Sequence, residues 1–342
     1  MKEAMAVCPI CGRGGRFTFE DRTWKIDGDG REFRYGECSD CRLLFCVPTP
    51  TDPEIEAVYG NYYKDYYKWF VQHRFLKKLQ GWHRYRRLVS IFQRQGFAWT
   101  KRKILDIGCG HGWFLDEAMR GGWQAYGVEY LEDELLLEMR RRGLNIAKGT
   151  LESIKLPGNS FDLITMWHVL EHMRDPRKAL SIVEDLLCEQ GYCVVAVPNR
   201  EAKSFEKVGV EWEWLQEPFI HVSSFSRTAL ERILPSRLHV VQATSRDTWD
   251  QQYARYTIFF IAYRTLLRYL VSGPRVVFET LGLKTIAKLI QQLDFFLYEC
   301  GLLVSYGCYV ALRWLLKNFE RDLRGSELMV IIQKNSERFV GN

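Results

Sequence analysis

Between residues 103 and 200, the pattern of hydrophobic and polar positions switches repeatedly between two periods. Short apolar runs, typical of buried strands, alternate with stretches in which apolar residues recur every three or four positions, typical of amphipathic helices. The predicted strands are Lys103–Ile107, Gln124–Val128, Phe161–Trp167 and Tyr192–Val197, and the predicted helices are Trp113–Arg120, Asp133–Arg142 and Pro176–Cys188. This alternation predicts an α/β fold whose parallel sheet carries helices on both faces.

The first predicted strand leads into a glycine-rich segment, LDIGCGHG at residues 105–112. Glycines at this place let the backbone approach a ligand closely, beside the N-terminus of the following helix. Glu129 follows at the end of the second strand, 21 residues after Gly108, where its carboxylate can bind both hydroxyls of a ribose. These features predict a nucleotide-type cofactor, and by themselves they fit NAD as well as S-adenosylmethionine.

Three further features separate these two cofactors. They are Asp106, which lies on the strand two residues before the first glycine; the segments GTLE at 149–152 and LPGNSFDLITMWHVLEH at 156–172; and GYCVVAVPN at 191–199. In these motifs and their order, roughly residues 100–245 resemble the class I S-adenosylmethionine-dependent methyltransferases. The resemblance implies a Rossmann-like seven-stranded sheet, closed by a reversed strand at Ser326–Gln333.

The same resemblance makes S-adenosylmethionine the cofactor and assigns the residues around it. They are Asp106, Gly108, Cys109 and Gly110 beside the methionine part, Glu129 at the ribose, Tyr130, Thr150 and Leu151 around the adenine, and Met166 and Trp167 closing the pocket. Position 150 departs from the family, which often has Asp where Thr150 stands. For the apolar members Leu151 and Met166, ordinary core packing is the alternative interpretation.

Four cysteines near the start of the chain form two C-x2-C pairs separated by 26 residues. They are Cys8, Cys11, Cys38 and Cys41. Two residues between thiolates allow one tight turn to aim both sulfurs at a single ion, and two such turns complete a tetrahedral site for structural zinc. A β-hairpin of Thr23–Ile26 and Glu32–Tyr35 is predicted to fill the gap. Free thiols or an iron site are the alternatives.

The segments after the cysteines, CRLLF at 41–45, PTP at 48–50 and YGNYY at 59–63, resemble the N-terminal part of zinc-ribbon methyltransferases that act on sugars and cell-surface glycans. The resemblance implies a hydroxyl of a sugar, glycan or lipid-linked molecule as the methyl acceptor. The tyrosines within residues 59–67 are predicted to form either a lid over the cofactor or a packed hinge.

The segment His168-Val169-Leu170-Glu171-His172 has three interpretations. It matches the H-x-x-E-H zinc-peptidase pattern, but it follows a predicted strand inside a complete cofactor fold, which disfavours that chemistry. Glu171 and His172 can instead hold a divalent ion, as the resemblance to quinone-modifying relatives implies. In the third interpretation, His168 and Glu171 shape the cofactor pocket and His172 packs or caps the next helix.

The loop after Asn199 is expected to lie over the strand ends, where open α/β sheets bind their substrates. In this loop, His221 with Phe225-Ser226 resembles the family's H-x3-F-S feature, and Trp212 and Trp214 can stack on sugar rings or pack the loop. A neutral histidine can remove the acceptor proton near pH 7, so His221 is the predicted catalytic base. The alternatives are a structural histidine at the helix that Ser226 begins, and transfer by alignment alone.

The charges are unevenly distributed along the 342 residues, although 48 Lys and Arg against 42 Asp and Glu give a net charge of only +6. The segment 66–105 has eleven basic residues and no acidic one. They are Lys68, Arg74, Lys77, Lys78, Arg84, Arg86, Arg87, Arg94, Lys101, Arg102 and Lys103. The apolar positions of residues 75–92 fall on one helical stripe, so a basic amphipathic helix is predicted there. The aromatic content of 14% excludes wholesale disorder.

Five regions follow from these patterns. They are a zinc ribbon at 1–50, a tyrosine-rich and basic connector at 51–100, the methyltransferase core at 101–250, a helical insertion at 251–325, and the last strand with a tail at 326–342. The insertion is apolar over Phe295–Leu312 apart from Glu299 and holds a basic excess. It is predicted to contact an anionic membrane surface, with a homodimer interface or an intramolecular cap as alternatives.

The predicted function is O-methylation of a sugar, glycan or lipid-linked acceptor by an S-adenosylmethionine-dependent methyltransferase. An RNA methyltransferase is the first alternative, because zinc ribbons and basic helices can bind nucleic acid. This alternative is disfavoured because the fourth strand leads into Met166-Trp167-His168 rather than into an amino-group methylation motif. A non-catalytic cofactor-binding scaffold is the second. The first eleven residues show no apolar signal segment, so a cytoplasmic protein, peripheral at the inner face of the membrane if the insertion binds lipid, is expected.

Overall fold

The computed structural model describes residues 2–8, 10–12, 14–19, 23–25, 31–51, 53–55, 74–96, 103–130, 133–209, 212–215, 219–246 and 326–336. The chain divides into a body, Met1–Arg246 with Leu323–Asn342, and a second unit, Asp247–Asp322. The predicted helical insertion at 251–325 and the tyrosines at 59–67 lie outside the described residues. The lid, membrane and dimer interpretations of these segments therefore stay predictions.

The N-terminal residues form an antiparallel sheet that carries both cysteine pairs. Its strands are β1 (Lys2–Val7), β2 (Gly14–Phe19), β3 (Trp24–Lys25), β4 (Glu32–Cys38) and β5 (Leu44–Val47). The order across the sheet is β1-β2-β4-β5, and β3 pairs with β4 beside this path. Trp24 lies opposite Phe33, as the predicted hairpin requires. Strand β4 runs three residues beyond the predicted Tyr35, because its second half also pairs with β2 and β5.

The second sheet has seven strands and confirms the predicted Rossmann-like architecture. Its strands are β6 (Lys103–Ile107), β7 (Gln124–Glu129), β8 (Asn145–Lys148), β9 (Phe161–Trp167), β10 (Leu187–Pro198), β12 (Leu238–Arg246) and β13 (Glu327–Lys334), whereas β11 (Ser223–Ser224) belongs to the N-terminal sheet. The order is β12-β13-β10-β9-β6-β7-β8. Strands β10, β9, β6, β7 and β8 are parallel, and β13 is the reversed strand between β10 and β12.

Helices lie before, between and after these strands in the described part of the chain. They are α1 (Arg74–Arg94), α2 (Trp113–Arg120), α3 (Asp133–Arg141), α4 (Pro176–Leu186), α5 (Lys203–Val208) and α6 (Arg227–Ile233). Two begin at caps with a sequence signature: the Asp175 side chain accepts from the Lys178 N–H at the start of α4, and the Ser226 side chain accepts from the Ala229 N–H at the start of α6. None of the described helices combines the length and apolar character of a membrane span.

Strand β8 and helix α4 also differ from the sequence prediction. Strand β8 was not predicted, because its four residues, NIAK, are too short and too polar to show a strand period. Helix α4 ends at Leu186 rather than Cys188, because Leu187 is already extended and pairs with Phe161 at the start of β9. An irregularity in the pairing between Leu187 and Tyr192 then separates this short start of β10 from its main part.

The apolar side of the basic helix α1 packs against helix α2. Leu88 and Phe92 are buried in the same core cluster as Phe114 of α2. A Cβ on Gly81 would lie 2.7 Å from the backbone of Trp113, so only glycine allows this approach of the two helices. Trp82, which the helical stripe places among the apolar positions, is 44% exposed, because the contact with α2 covers a narrower face than the stripe.

Candidate functional site

The carboxyl ends of the parallel strands meet at one edge of the second sheet, and most residues predicted to bind the cofactor gather there. Asp106 of β6 lies opposite Thr165 of β9, and Ile107 lies opposite Met166. Glu129 ends β7, the neighbouring strand on the other side. In open α/β sheets this edge is where ligands bind. The structure therefore brings together groups that the sequence could only place in order.

The glycine-rich loop leaves room for a ligand at this edge. Gly108 has a φ of +65°, and a Cβ there would lie 2.6 Å from a methyl of Val169. Gly110 has a φ of +54°, and a Cβ there would meet nothing within 4 Å. Glycine is required at both positions by the left-handed backbone, and the open space beside Gly110 fits close approach of a cofactor.

Asp106 is a buried carboxylate at the end of β6, only 2% exposed. Burial raises the pKa of Asp106 to about 7, while the Thr165 hydroxyl, which donates to Oδ1 at 2.6 Å, and the charge of Arg84 oppose this shift. The carboxylate therefore titrates near neutral pH. Its charge and its place at the strand end suit an ammonium group of a ligand.

Glu129 is held in a fixed orientation by two backbone groups. The N–H of Gly110 donates to Oε2 at 2.6 Å, and the N–H of Tyr130 donates to Oε1 at 2.7 Å. Burial raises the pKa of Glu129, and the two backbone hydrogen bonds oppose the shift. The Tyr130 side chain is 65% exposed beside this carboxylate, so its ring is accessible to an adenine.

The remaining predicted cofactor residues have different surroundings. Leu151 and Met166 are buried in one hydrophobic cluster, as the core-packing interpretation predicts. Trp167 is buried edge-on against Phe114, with ring centroids 5.5 Å apart. Thr150 is exposed, and its backbone N–H donates to the Ser153 hydroxyl at 2.9 Å. Their contact with the cofactor stays a prediction, as does that of the buried Cys109.

Arg84 of α1 is a charged group at this edge that the motifs did not reveal. Its guanidinium lies 5.0 Å from the centre of the Trp167 ring, and its positive charge opposes the rise in the pKa of Asp106 that burial causes. The sequence signal is its place in the basic segment, whose amphipathic pattern predicts basic side chains on the outward polar face of the helix. Part of the basic helix instead faces the cofactor edge.

The four predicted metal ligands come together at the end of the N-terminal sheet. Cys8 Sγ lies 3.8 Å from Cys41 Sγ, and Cys11 Sγ lies 3.8 Å from Cys38 Sγ. A tetrahedron with metal–sulfur bonds of about 2.3 Å has sulfur–sulfur edges of about 3.8 Å. The Cys11 N–H points to the Cys8 sulfur at 3.4 Å. The donor set and its dimensions fit zinc.

A second cluster of polar groups lies directly after β9, next to the glycine-rich loop. His168 has a left-handed backbone with a φ of 57°, and Leu170–His172 form a 3₁₀ turn. The H-x-x-E-H segment is therefore not one continuous α-helix. A peptidase site of this pattern needs such a helix to bring its histidines together. Val169, between these residues, is the side chain that contacts the loop at Gly108. The cluster and the cofactor edge are thus neighbours.

His168 lies between two buried carboxylates. Its Nε2 is 3.1 Å from Glu327 Oε2, and its Nδ1 is 3.3 Å from Glu171 Oε1. Glu327 also pairs with Arg87, whose NH1 lies 2.9 Å from Oε1. Burial alone would lower the pKa of His168, but pairing with Glu171 and Glu327 outweighs it and raises the pKa to about 9. Sequence reasoning missed Glu327 and Arg87, because no local pattern connects residues so far apart in the chain.

His221, the predicted base, lies on the other side of Glu171. Its Nδ1 donates to the carbonyl oxygen of Trp214 at 2.8 Å, since a carbonyl can only accept, and this leaves Nε2 as the accepting nitrogen. Burial and the nearby His172 lower the pKa of His221 to about 3, whereas Glu171 opposes the shift. His221 is therefore neutral at pH 7. The Trp214 ring lies 5.4 Å from both the His168 and the His221 rings.

Three groups of this cluster can also serve as metal ligands. Glu171, His172 and His221 each offer one ligand atom, and these atoms lie within 4.8 Å of one another. The Nδ1 of His172 donates to the Ile220 carbonyl oxygen at 2.9 Å, which orients its ring as such bonds do at metal sites. Glu171 is completely buried. The geometry adds His221 to the two residues considered from the sequence.

Comparison with known proteins gives the family. A family model described as "Methyltransferase domain" matches residues 63–237, slightly more than half of the chain. The ubiquinone biosynthesis O-methyltransferase of Dinoroseobacter shibae is 34% identical over 122 residues, which are 33% of this chain and 49% of that protein. The enzyme of the same name from Glaesserella parasuis is 30% identical over 125 residues, 33% of this chain and 52% of that protein. The chain thus spans about half the length of the curated relatives it matches.

Solved methyltransferase structures also match the chain. A crystal structure of an S-adenosylmethionine-dependent methyltransferase from Archaeoglobus fulgidus is 19% identical and covers 78% of this chain and 100% of its own, with a TM-score of 0.44. One from Mesorhizobium loti is 16% identical and covers 68% and 91%, with a TM-score of 0.40. With the family match over residues 63–237 and the seven-stranded sheet, the chain belongs to the class I S-adenosylmethionine-dependent methyltransferases.

Proposed function

We propose that this chain transfers a methyl group to a hydroxyl of a sugar, glycan or lipid-linked acceptor, and that its four cysteines hold a structural zinc ion. The observation that carries the proposal is the cluster of His221 and Glu171 beside the glycine-rich loop. Two related proteins carry the name O-methyltransferase, which supports oxygen as the methylated atom. The resemblance of residues 41–63 to the sugar-modifying group supports the acceptor class.

S-adenosylmethionine, when bound, supplies the methyl group on its sulfonium sulfur. At the cofactor edge, Asp106 would bind the ammonium group and Glu129 the ribose hydroxyls, with the exposed Tyr130 ring beside the adenine. The two backbone hydrogen bonds to Glu129 fix its oxygens before any ligand arrives. A site arranged in advance loses less entropy when it orders its ligand.

The acceptor hydroxyl would bind against Nε2 of His221, which is the accepting nitrogen because Nδ1 donates to Trp214. His221 then takes the hydroxyl proton as the oxygen receives the methyl group. The negative charge of Glu171 favours the imidazolium that forms, and the Trp214 carbonyl oxygen, which accepts from Nδ1, holds the ring in place. The Trp214 ring beside His221 offers a flat apolar face for the acceptor.

Isotope transfer with a His221 variant tests this proposal. The purified protein is incubated with methyl-labelled S-adenosylmethionine and a panel of nucleotide-linked sugars, lipid-linked sugars, glycan extracts and RNA. We expect a base-stable methyl ether on a sugar hydroxyl, and His221→Gln is expected to reduce kcat by about 10²–10⁴-fold, the usual contribution of a general base. His239→Gln, at a partly buried histidine on β12, is the matched control.

Cofactor affinity, measured by calorimetry, is expected to be the same in the wild type and in His221→Gln. Normal turnover of His221→Gln with intact cofactor binding would show that His221 is not the base. Methyl transfer to RNA, and to none of the sugars in the panel, would show that the acceptor is RNA and not a sugar.

A further inference from the structure

The N-terminal cysteine sheet continues into the loop that carries His221. Strand β11, which begins two residues after His221, pairs with β5: Ser223 lies opposite Phe45, and Ser224 lies opposite Leu44. The Cys46 N–H donates to the Val222 carbonyl oxygen at 2.8 Å. The polypeptide on the C-terminal side of His221 is therefore held as an edge strand of the cysteine-bearing sheet.

One side chain of this sheet reaches His221 itself. The hydroxyl of Tyr35, on β4, donates to the backbone carbonyl oxygen of His221 at 2.5 Å. Tyr35 is completely buried and packs edge-on against Trp24, with ring centroids 5.3 Å apart. A buried ring with its neighbours in place has little freedom to move. The hydrogen bond therefore fixes the position of the His221 backbone.

Apolar packing joins the same two regions. Phe33 of β4 contacts Phe219 edge-on, with ring centroids 4.9 Å apart. One buried cluster contains residues of the cysteine-bearing sheet together with residues of the His221 loop. Its members from the sheet are Trp24, Phe33, Tyr35, Leu44 and Cys46, and those from the loop and its approach are Ala202, Trp212, Leu215 and Val222. The loop thus has its hydrophobic core in the N-terminal sheet.

The cysteine cluster fixes the register of the strands that make these contacts. Cys38 ends β4 three residues after Tyr35, and Cys41 lies in the turn that leads to β5. A metal bound by these two thiolates and by Cys8 and Cys11 closes that turn. Glu37, next to Cys38, also pairs with Arg200, at the start of the segment that leads to His221.

We propose that the four-cysteine sheet positions His221 and that Tyr35 is the positioning residue. Metal binding at the cysteines and methyl transfer to the acceptor are therefore coupled. The coupling does not extend to cofactor binding, because Asp106, Glu129 and the glycine-rich loop belong to the other sheet. The catalytic part of this inference rests on the proposed role of His221.

Removal of the single Tyr35 hydroxyl tests the positioning role. In the full-length protein loaded with zinc, Tyr35→Phe is expected to lower kcat for the acceptor about tenfold, in line with the loss of one buried hydrogen bond. Acceptor KM, cofactor affinity and zinc content are expected to stay at the wild-type values. The matched control is Tyr192→Phe on β10, which also removes a hydrogen-bonded hydroxyl. The Tyr192 hydroxyl accepts from the Gln333 side-chain amide at 2.9 Å.

Hydrogen exchange gives a readout that needs no acceptor. Removal of the metal with a chelator, with cofactor present, is expected to increase amide exchange at least tenfold in residues 33–47 and 219–226 and to leave residues 103–130 unchanged. Tyr35→Phe is expected to increase exchange in 219–226 alone. Unchanged exchange in 219–226 after metal removal overturns the coupling.

The two proposals fail in distinguishable ways. Normal turnover of Tyr35→Phe, where His221→Gln is impaired, overturns the positioning role and leaves the proposed function intact. Normal turnover of both variants removes His221 as the base, and the exchange experiment then decides the coupling by itself. A parallel loss of cofactor affinity in Tyr35→Phe overturns the proposal, because it indicates general damage to the fold.

Discussion

The cofactor edge and the His221 cluster are neighbours, yet they are assembled in different ways. The charged groups of the cofactor edge, Asp106 and Glu129, come from consecutive parallel strands, and the backbone alone orients Glu129. The His221 cluster draws on Arg87, on the segment after β9, on the loop 212–225 and on Glu327 at the start of the last strand. A site of the first kind depends on local structure, whereas one of the second kind depends on the whole fold.

The electrostatics of the two regions differ in the same sense. At the cofactor edge, burial raises the pKa values of both Asp106 and Glu129. At Glu171 and His168, opposite charges outweigh burial, so that the pKa of Glu171 is lowered and that of His168 is raised, whereas burial dominates at His221 and lowers its pKa. The carboxylates of the cofactor edge can pair with a positively charged ligand, whereas the charged groups of the His221 cluster pair with one another within the protein.

The largest effect is expected from breaking the balanced network at Glu327. Glu327 is 1% exposed and pairs with both Arg87 and His168. Glu327→Gln leaves two partly buried cations with one carboxylate fewer, and removal of one partner of a buried pair costs about 3–5 kcal/mol. We expect the free energy of unfolding, measured in urea, to fall by that amount.

The matched control is Asp133→Asn, which removes an exposed pair with Lys148 and is expected to leave the unfolding curve unchanged. Cofactor affinity of Glu327→Gln below the unfolding range is expected to stay within about twofold of the wild type, because Glu327 pairs with Arg87 and His168, whereas Asp106 and Glu129 are held by Thr165 and by backbone N–H groups. Equal losses of stability in the two variants would contradict a balanced buried network.

The sequence predicts the cofactor half far better than the acceptor half. The strands Lys103–Ile107 and Phe161–Trp167 and the helix Trp113–Arg120 have the predicted bounds, because their periodicity is strong and their ends carry glycine or polar signals. Asp106 and Glu129 are recognisable because the βα turns of a parallel sheet place them at one edge. Here the local pattern and the observed placement of the two carboxylates coincide.

The acceptor half escapes this kind of reasoning for a physical reason. The contacts Tyr35–His221 and His168–Glu327 join residues 186 and 159 positions apart, and neither has a local period or turn signal. Arg84 and Arg87 show the same limit, since the pattern predicts an outward basic face while both side chains meet groups of the fold. The packing of the two sheets brings Tyr35 to His221, and the strand order of the second sheet brings Glu327 to His168.

A smaller effect, confined to the cofactor half, is expected from Asp106. Asp106→Asn keeps the shape and the Thr165 hydrogen bond partner but removes the charge that would face the ammonium group. Hydrogen bonds to charged groups contribute about 1.5–3 kcal/mol, so the Kd for S-adenosylmethionine is expected to rise about 10–100-fold by calorimetry. Asp162→Asn is the control, because Asp162 accepts from the Lys103 N–H at the opposite end of the sheet. Equal Kd values for the Asp106 variant and the wild type would remove this residue from the cofactor site.

The smallest expected effect is a pH dependence of cofactor affinity, which separates the two halves without a large change in structure. Because the pKa of Asp106 lies at about 7, the carboxylate loses its charge as the pH falls through that value. The cofactor's ammonium group favours the ionised carboxylate, so affinity should decline as the pH falls from 7.5 to 6; the comparison stays below about pH 7.7, where the α-amino group of the cofactor itself begins to lose its proton. Linkage with this single group predicts a Kd about eightfold higher at pH 6 than at pH 7.5. The Asp106→Asn variant should show a flat profile over the same range, whereas His221→Gln should keep the wild-type slope. A wild-type Kd that is the same at both pH values would show that the charge on Asp106 does not contribute to binding.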